Sequence, residues 1–443
     1  MNSPRRVWNH LWSSFWFLPS MIVVMCMVFA VVMIEADSMT SDQFLAQWPR
    51  LFGAGATGAQ ALMSTIASSM MSVIGVTFSV VLVALALASS QYTSRILRNF
   101  INSRTTQAIL GIFAGNFVYC LIVIRAIRSG DEGAFVPNLA VFMGVVLAIV
   151  SVGVLIFFIH HIASSIQASA IISSVAKETI SVIDKLFPQQ LGQEPGEDVD
   201  APPQQTSSER EWHPITVTES GYIQSVDYEA LLQVAREQAT IVRMEHAIGE
   251  FAVEETALVS VALAGPPNRA TIADLQAAFS IYSYRTVEQD AAFGIRQLVD
   301  VALKALSPGV NDVTTAITCV DYLTAILSRL ATRQIPSTHR YDDGELRVIA
   351  KGPSFESLLS EAFDQIRSSA SGNVAVISRM LGALQTIESL TNRPDRRRAL
   401  REQVELIAEL AGRTVESLHE RSKIDARLAP VRSALKTVPA EST

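Results

Sequence analysis

Four stretches in the first third of the chain carry no charged side chain: residues 17–34, 54–94, 105–124 and 134–158. A helix needs about 20 apolar residues to cross the hydrocarbon core of a bilayer, so the pattern predicts four transmembrane helices. Apolar positions continue beyond the fourth stretch at Ile166, Ala170, Ile171, Ile180, Ile183 and Leu186, now among Ser, Lys and Glu, until Pro188. That spacing predicts an amphipathic helix that prolongs the fourth span into the cytosol as one rigid rod. Residues 1–187 therefore read as a four-helix transmembrane domain with a cytosolic helix extension.

The pattern then changes twice. Residues 188–214, including Pro202, Pro203, Gln204 and Gln205, have almost no apolar side chains and read as a flexible acidic Pro/Gln-rich linker. Short β-type runs at 215–217, 222–226, 240–244 and 257–263, with a helix capped by Asp227 after the second, predict a small α+β unit over 215–267. Residues 268–427 read as a helical domain with one β-hairpin, whose turn is marked by Asp342, Asp343 and Gly344. Its later helices are expected over 354–369, 374–390 and 394–421, and residues 428–443 are expected to be a disordered tail. The fold class is thus membrane α-helical with four transmembrane helices, followed by a cytosolic α+β, mostly helical region.

Composition sharpens this picture only in places. Of 443 residues 49% are hydrophobic, at their densest before about His161, and the formal net charge of −7 is spread along the chain. Without a basic patch, nucleic acid is not expected as a partner; the lipid bilayer is. Cys26, Cys120 and Cys319 are far apart, lack the spacing of a metal or redox motif and read as small hydrophobes. No metal site or cofactor is expected.

Charge does set orientation, because positive connections stay on the cytoplasmic side. Arg5 and Arg6 precede the first span, and Glu35, Asp37 and Asp42 outnumber Arg50 after it. Arg95, Arg98 and Arg104 follow the second span without an acid, and Arg125 and Arg128 mix with Asp131 and Glu132 after the third. Both termini are therefore expected in the cytoplasm. No small-x-small cleavage site follows Ile34, and Trp8, Trp12, Trp16 and Trp48 flank the first span as interfacial aromatics do, so it reads as a retained anchor.

Two places hold candidate chemistry. In the second span Gln60, Ser64, Ser68, Ser72, Gly75 and Ser79 recur at spacings of three and four, which puts them on one small, partly polar stripe. Such a stripe serves close helix packing, or lines a water-filled path when repeated around an oligomer. In the soluble half a helical wheel over 285–306 gathers Arg285, Gln289, Asp290, Arg296, Gln297, Asp300 and Lys304 on one face, with Asn311 and Asp312 at the turn that follows. These residues brace an amphipathic helix hairpin, or hold an anion or a divalent ion beside a helix N-terminus. No Walker sequence, nucleophile elbow or His/Cys cluster accompanies them, so no catalytic residue is assigned and no enzymatic activity is expected.

The run RTVEQDAAFGIRQLVDVALKALSPGVNDVTTAITCVDYL resembles the signature of a bacterial membrane-protein family known as domain of unknown function 2254. QYTSRILRNF, HHIASSIQ and ESGYIQSVD fit the same family, so the likeness covers nearly the whole chain. It implies a multi-pass protein of the bacterial inner (plasma) membrane with a cytosolic C-terminal region, and it implies no activity. Two functions fit these observations: a homo-oligomeric, non-enzymatic pore or channel gated by its cytosolic region, or a membrane-anchored receptor or scaffold whose cytosolic domain binds an unknown ligand or partner without transport.

Overall fold

The computed structural model describes residues 16–39, 55–91, 104–128, 135–165, 167–187 and 211–436. The expectations that rest on Arg5, Arg6, Trp8, Trp12, Trp48, Arg50, Arg95, Arg98, Asp131 and Glu132 lie outside these residues, as do most of the linker and the last seven positions. The chain divides into two compact units, Met1–Ala170 and Ile171–Thr443.

The first unit is a bundle of α1 (Phe17–Met39), α2 (Ala56–Gln91), α3 (Arg104–Ala126) and α4 (Asn138–Ser165). These match the four charge-free stretches, because an unbroken apolar run satisfies its backbone polar groups only as a helix when water is absent. Helix α3 is central and packs on the other three. Its approach to α1 depends on Gly111 and Gly115: a β-carbon at Gly111 would lie 3.0 Å from Pro19 Cα, and one at Gly115 would lie 2.6 Å from Cys26 Sγ. This is a small-xxx-small contact of the kind that lets membrane helices touch backbone to backbone. Three polar groups inside the bundle find partners on neighbouring helices. Tyr119 donates from its hydroxyl to the Ala140 carbonyl (2.8 Å), and Asn116 donates from Nδ2 to Ser151 Oγ (3.1 Å). Asp37, buried at the end of α1, accepts from the Leu139 N–H at the start of α4 (3.2 Å). Many large apolar side chains on the outside, among them Val24, Met25, Val83, Ile149 and Ile156, are exposed, as lipid-facing residues are.

Helix α5 (Ala168–Leu186) is separate from α4, which corrects the expectation of one rigid rod. Ser165 returns its hydroxyl to the His161 carbonyl (2.7 Å), and the backbone turns at Gln167. Serine near a helix end competes in this way with helix continuation.

The second unit joins two sheets to a helical layer. Strands β1 (Glu211–Thr216), β2 (Gly221–Val226), β3 (Val242–Met244), β4 (Phe251–Ala252), β5 (Ala257–Leu263), β6 (Phe279–Tyr282), β7 (His339–Asp342) and β8 (Glu345–Ile349) form sheets of order β1-β5-β3-β8-β7 and β4-β2-β6. Helices α6 (Tyr228–Glu237), capped by Asp227, and α7 (Arg269–Ala277) share the sheets' apolar core through Leu231, Val234, Ala235 and Leu275. Strand β1 starts inside the expected linker, and β8 runs parallel to β3, so the sheet continues past residue 267. Asp343 and Gly344 both have positive φ, which makes the β7–β8 turn a tight two-residue hairpin.

Helices α8 (Ala291–Leu306), α9 (Val313–Ala331), α10 (Phe355–Ser369), α11 (Val374–Glu388), α12 (Pro394–Thr414) and α13 (Leu418–Lys436) complete the unit. The expected single helix over 394–421 breaks at Val415, which is extended, and the expected tail from 428 is helical to Lys436 with Leu428, Val431 and Leu435 buried. Two arginines in the first turn of α12 tie it to its neighbours. Arg396, 4% exposed, donates to the carbonyls of Leu330, Ala331 and Arg333 at the C-terminus of α9, at 2.7–3.2 Å. Arg397 pairs with Glu388 (2.6 Å) and donates to the Ala434 carbonyl in α13. A cation at a helix C-terminus meets both unpaired carbonyls and the negative end of the dipole.

Candidate functional site

The stripe in α2 lies beside the packed face of the helix and is exposed. Ala59, Met63, Ala67, Met70, Thr77 and Ala84 are the buried positions of this helix, whereas Gln60, Ser64, Ser68, Ser72, Gly75 and Ser79 are all exposed. Gly75 has nothing within 4 Å of where a β-carbon would be. The hydroxyls of Ser72 and Ser79 donate to the carbonyls of Ser68 (3.1 Å) and Gly75 (2.9 Å) one turn back, so their donors are met while an acceptor face stays outward. Between α2 and α3 lies an open groove of about 490 Å³. Ser64, Ser68 and Ser72 form its polar wall, and Phe117, Leu121 and Ile124 its apolar wall.

The residues gathered by the wheel over 285–306 do not share one helix face. Helix α8 starts at Ala291, and Asp290 is its N-cap: Oδ1 accepts from the Phe293 N–H (2.9 Å) and Oδ2 accepts from Arg285 Nε and Nη2 (3.0 and 2.8 Å). Desolvation by burial pushes the Asp290 carboxyl above the usual carboxylate range, against the pull of Arg285. Gln289 accepts from the Val226 N–H through Oε1 (3.1 Å), which ties this corner to β2. The Arg285 guanidinium also lies 5.0 Å from the centre of the Phe293 ring.

Further along the helix Arg296 pairs with Asp300 (2.9 Å) and with Glu361 of α10 (3.3 Å). Asn311 takes a positive φ of 49° in the turn after α8. Asp312 caps α9, accepting from the backbone N–H (3.0 Å) and the hydroxyl (2.6 Å) of Thr315, and these bonds hold its carboxyl below the usual range. Helix α8 has 16 residues and so spans about 24 Å at 1.5 Å per residue. Asp290 and Asp312 stand at its opposite ends. The structure thus assembles Arg285, Gln289 and Asp290 in one cluster and Arg296 and Asp300 in a second, with Asn311 and Asp312 in a third. Asp290 and Asp312 serve as caps, and Arg285–Asp290 and Arg296–Asp300 as ion pairs. Among the described residues no group of three or more His, Cys, Asp and Glu is placed to hold a metal ion.

Four further residues belong to this region. Asp184 of α5 accepts from Arg329 Nε and Nη2 (2.6 and 2.9 Å) and from Arg333 Nη2 (2.6 Å), and Thr179 of α5 packs on Gly294 of α8. Their sequence separations exceed 100 residues, so no local pattern marks them; only the amphipathic face of α5 hints that something covers it.

A family model described as "Predicted membrane protein (DUF2254)" matches residues 12–386. The chain belongs to this family. The DUF2254 match takes in both the α2 stripe and the polar clusters of α8, and stops before α12 and α13. Uncharacterized proteins of Mycobacterium bovis and Mycobacterium tuberculosis are similar to this DUF2254 chain at 30% identity over 435 residues, 96% of this chain and 81% of each relative. No solved structure matches it.

Proposed function

We propose that this protein is a four-span, homo-oligomeric and non-enzymatic protein of the bacterial inner membrane, whose copies meet around the polar face of α2 to form a passive conduction path. Both termini and the second unit lie on the cytoplasmic side in this reading, and the second unit gates the path. The observation that carries the proposal is the outward placement of Gln60, Ser64, Ser68, Ser72, Gly75 and Ser79 on a helix whose adjoining face is already packed. Hydroxyl acceptors and a glutamine amide are better matched by water, or by the same groups on another copy, than by acyl chains.

Among the described residues five helices are long and apolar enough to cross a membrane, the fifth being α9, Val313–Ala331. We count four spans because α9 is built into the second unit. Cys319, Leu323, Leu327 and Leu330 are wholly buried there, and its last carbonyls are held by Arg396.

Single-channel recording on purified protein in planar bilayers tests the proposal. Wild-type protein is expected to give discrete conductance, and Ser72→Leu to reduce it while leaving the oligomer intact by size-exclusion chromatography. Equal conductance from assembled Ser72→Leu, or silence from folded and assembled wild type, overturns it.

A further inference from the structure

Helix α5 is held on the second unit by two anchors that lie far apart in sequence. One is the double-arginine grip on Asp184 by Arg329 and Arg333 at the end of α9. The other is the first turn of α8. Val182 and Leu186 of α5 pack on Val287 and Phe293 there, and Thr179 lies on Gly294.

The shape of that turn is set by a single ion pair. Asp290 closes the helix end through the Phe293 N–H while its second oxygen takes both Arg285 donors, and the same guanidinium covers the Phe293 ring. Gly249, at φ +85°, sits so close that a β-carbon there would collide with Asp290 Oδ2 and come within 2.7 Å of Arg285 Nη2. The pair is therefore enclosed between the β2–β4 corner on one side and Phe293 on the other, and Asp290 is only 5% exposed. The Arg285 side chain is 26% exposed and that of Asp290 4%, so loss of Arg285 leaves a buried carboxylate unpaired, and loss of Asp290 leaves the first turn of α8 without its cap.

We propose that the Arg285–Asp290 pair is a conformational latch for α5: when it is closed, the helix that follows the fourth apolar helix in sequence is fixed to the second unit, and when it is broken, α5 is released while the rest of the unit stays folded. The latch is a property of the second unit and stands whether or not the protein conducts.

Hydrogen–deuterium exchange on the full-length protein in detergent micelles tests it. Asp290→Ala is expected to raise exchange in residues 176–186 by about tenfold while residues 374–388 of α11 stay within about twofold of wild type. Arg285→Lys, which keeps the charge but loses the planar double donor, is expected to give a smaller rise in the same segment. Arg236→Met breaks the exposed pair with Asp342 and is expected to leave 176–186 unchanged. The proposal is overturned if 176–186 exchanges as in wild type in folded Asp290→Ala, if α11 rises equally, or if Arg236→Met has the same effect. If Asp290→Ala does not fold, unchanged 176–186 exchange in Arg285→Lys overturns it.

Discussion

Thr179 fills the space that a side chain at Gly294 would need: a β-carbon there would lie 2.8 Å from Thr179 Cγ2 and 2.9 Å from its Cβ. Gly294 is interior to α8, where alanine is ordinarily the better residue by about 1 kcal/mol. Overpacking a closed contact costs about 1–3 kcal/mol, and the collision involves three atoms of one β-branched side chain, so the steric cost wins. Gly294→Ala should lower stability by up to about 2 kcal/mol in urea unfolding, and Thr179→Ala in that background should recover most of the loss. Independent, additive effects of the two substitutions would contradict the contact.

Arg396 donates to the carbonyls of Leu330, Ala331 and Arg333 where α9 ends. Arg396→Met keeps the bulk and removes every donor, leaving buried acceptors unmet, so a loss of about 3 kcal/mol is expected. Arg396→Lys should recover only part of it, because one ammonium cannot reproduce the fork. Thermal unfolding of the two variants side by side checks the order wild type, Lys, Met.

Acid should act on Asp184 and Asp290 in opposite senses. Hydrogen bonding by Arg329 holds the Asp184 carboxyl below its ordinary value; its contribution is therefore fully present above about pH 4 and lost as pH falls through the lower folded value. Burial raises the Asp290 carboxyl, so the folded state takes up its proton first and stability rises as pH falls from the raised folded value toward the ordinary one. In urea unfolding between about pH 3 and pH 7, Asp184→Asn should remove a loss on the acid side and Asp290→Asn should remove a gain. The Asp184 effect is the smaller, since a third of its side chain is exposed and screened by solvent.

Gly115 meets Cys26 across the α1–α3 contact. Gly115→Leu should force the two helices apart and destabilise the bundle by about 1–3 kcal/mol, read as faster proteolysis of the first unit in micelles. Gly153→Leu, at a position with open space around it, is the matched control and should change little.

The bundle was legible because its signal is local. An uninterrupted apolar run admits few alternatives, and α1 to α4 fall on the four charge-free stretches. The Asp227 and Asp312 caps and the Asp343–Gly344 turn were legible for the same reason, since each is decided within four residues. What escaped depends on distant partners. Strands β4 and β6 have two and four residues, and only pairing with β2 makes them strands. A helical wheel begun at Arg285 assigned that residue a face, although the helix begins six residues later and Arg285 reaches Asp290 from the loop. The ordered C-terminus was hidden because the groups that hold it, Arg397 and Arg401, lie more than 30 residues upstream. Gly111 and Gly115 show their spacing openly, but spacing alone does not tell an internal contact from one between copies.

The Asn116–Ser151 bond also fixes the height of two neighbouring helices. Both residues stand about halfway along their helices, α3 and α4, and each is almost fully buried. Sliding one helix past the other by a single turn, about 5.4 Å, would strand an amide and a hydroxyl in a medium that offers no substitute partner. The hairpin is thus keyed like a lock with two notches: side-by-side insertion of α3 and α4 has many apolar registers of nearly equal energy, and this bond, with the Tyr119–Ala140 bond, singles out the register in which the protein is assembled.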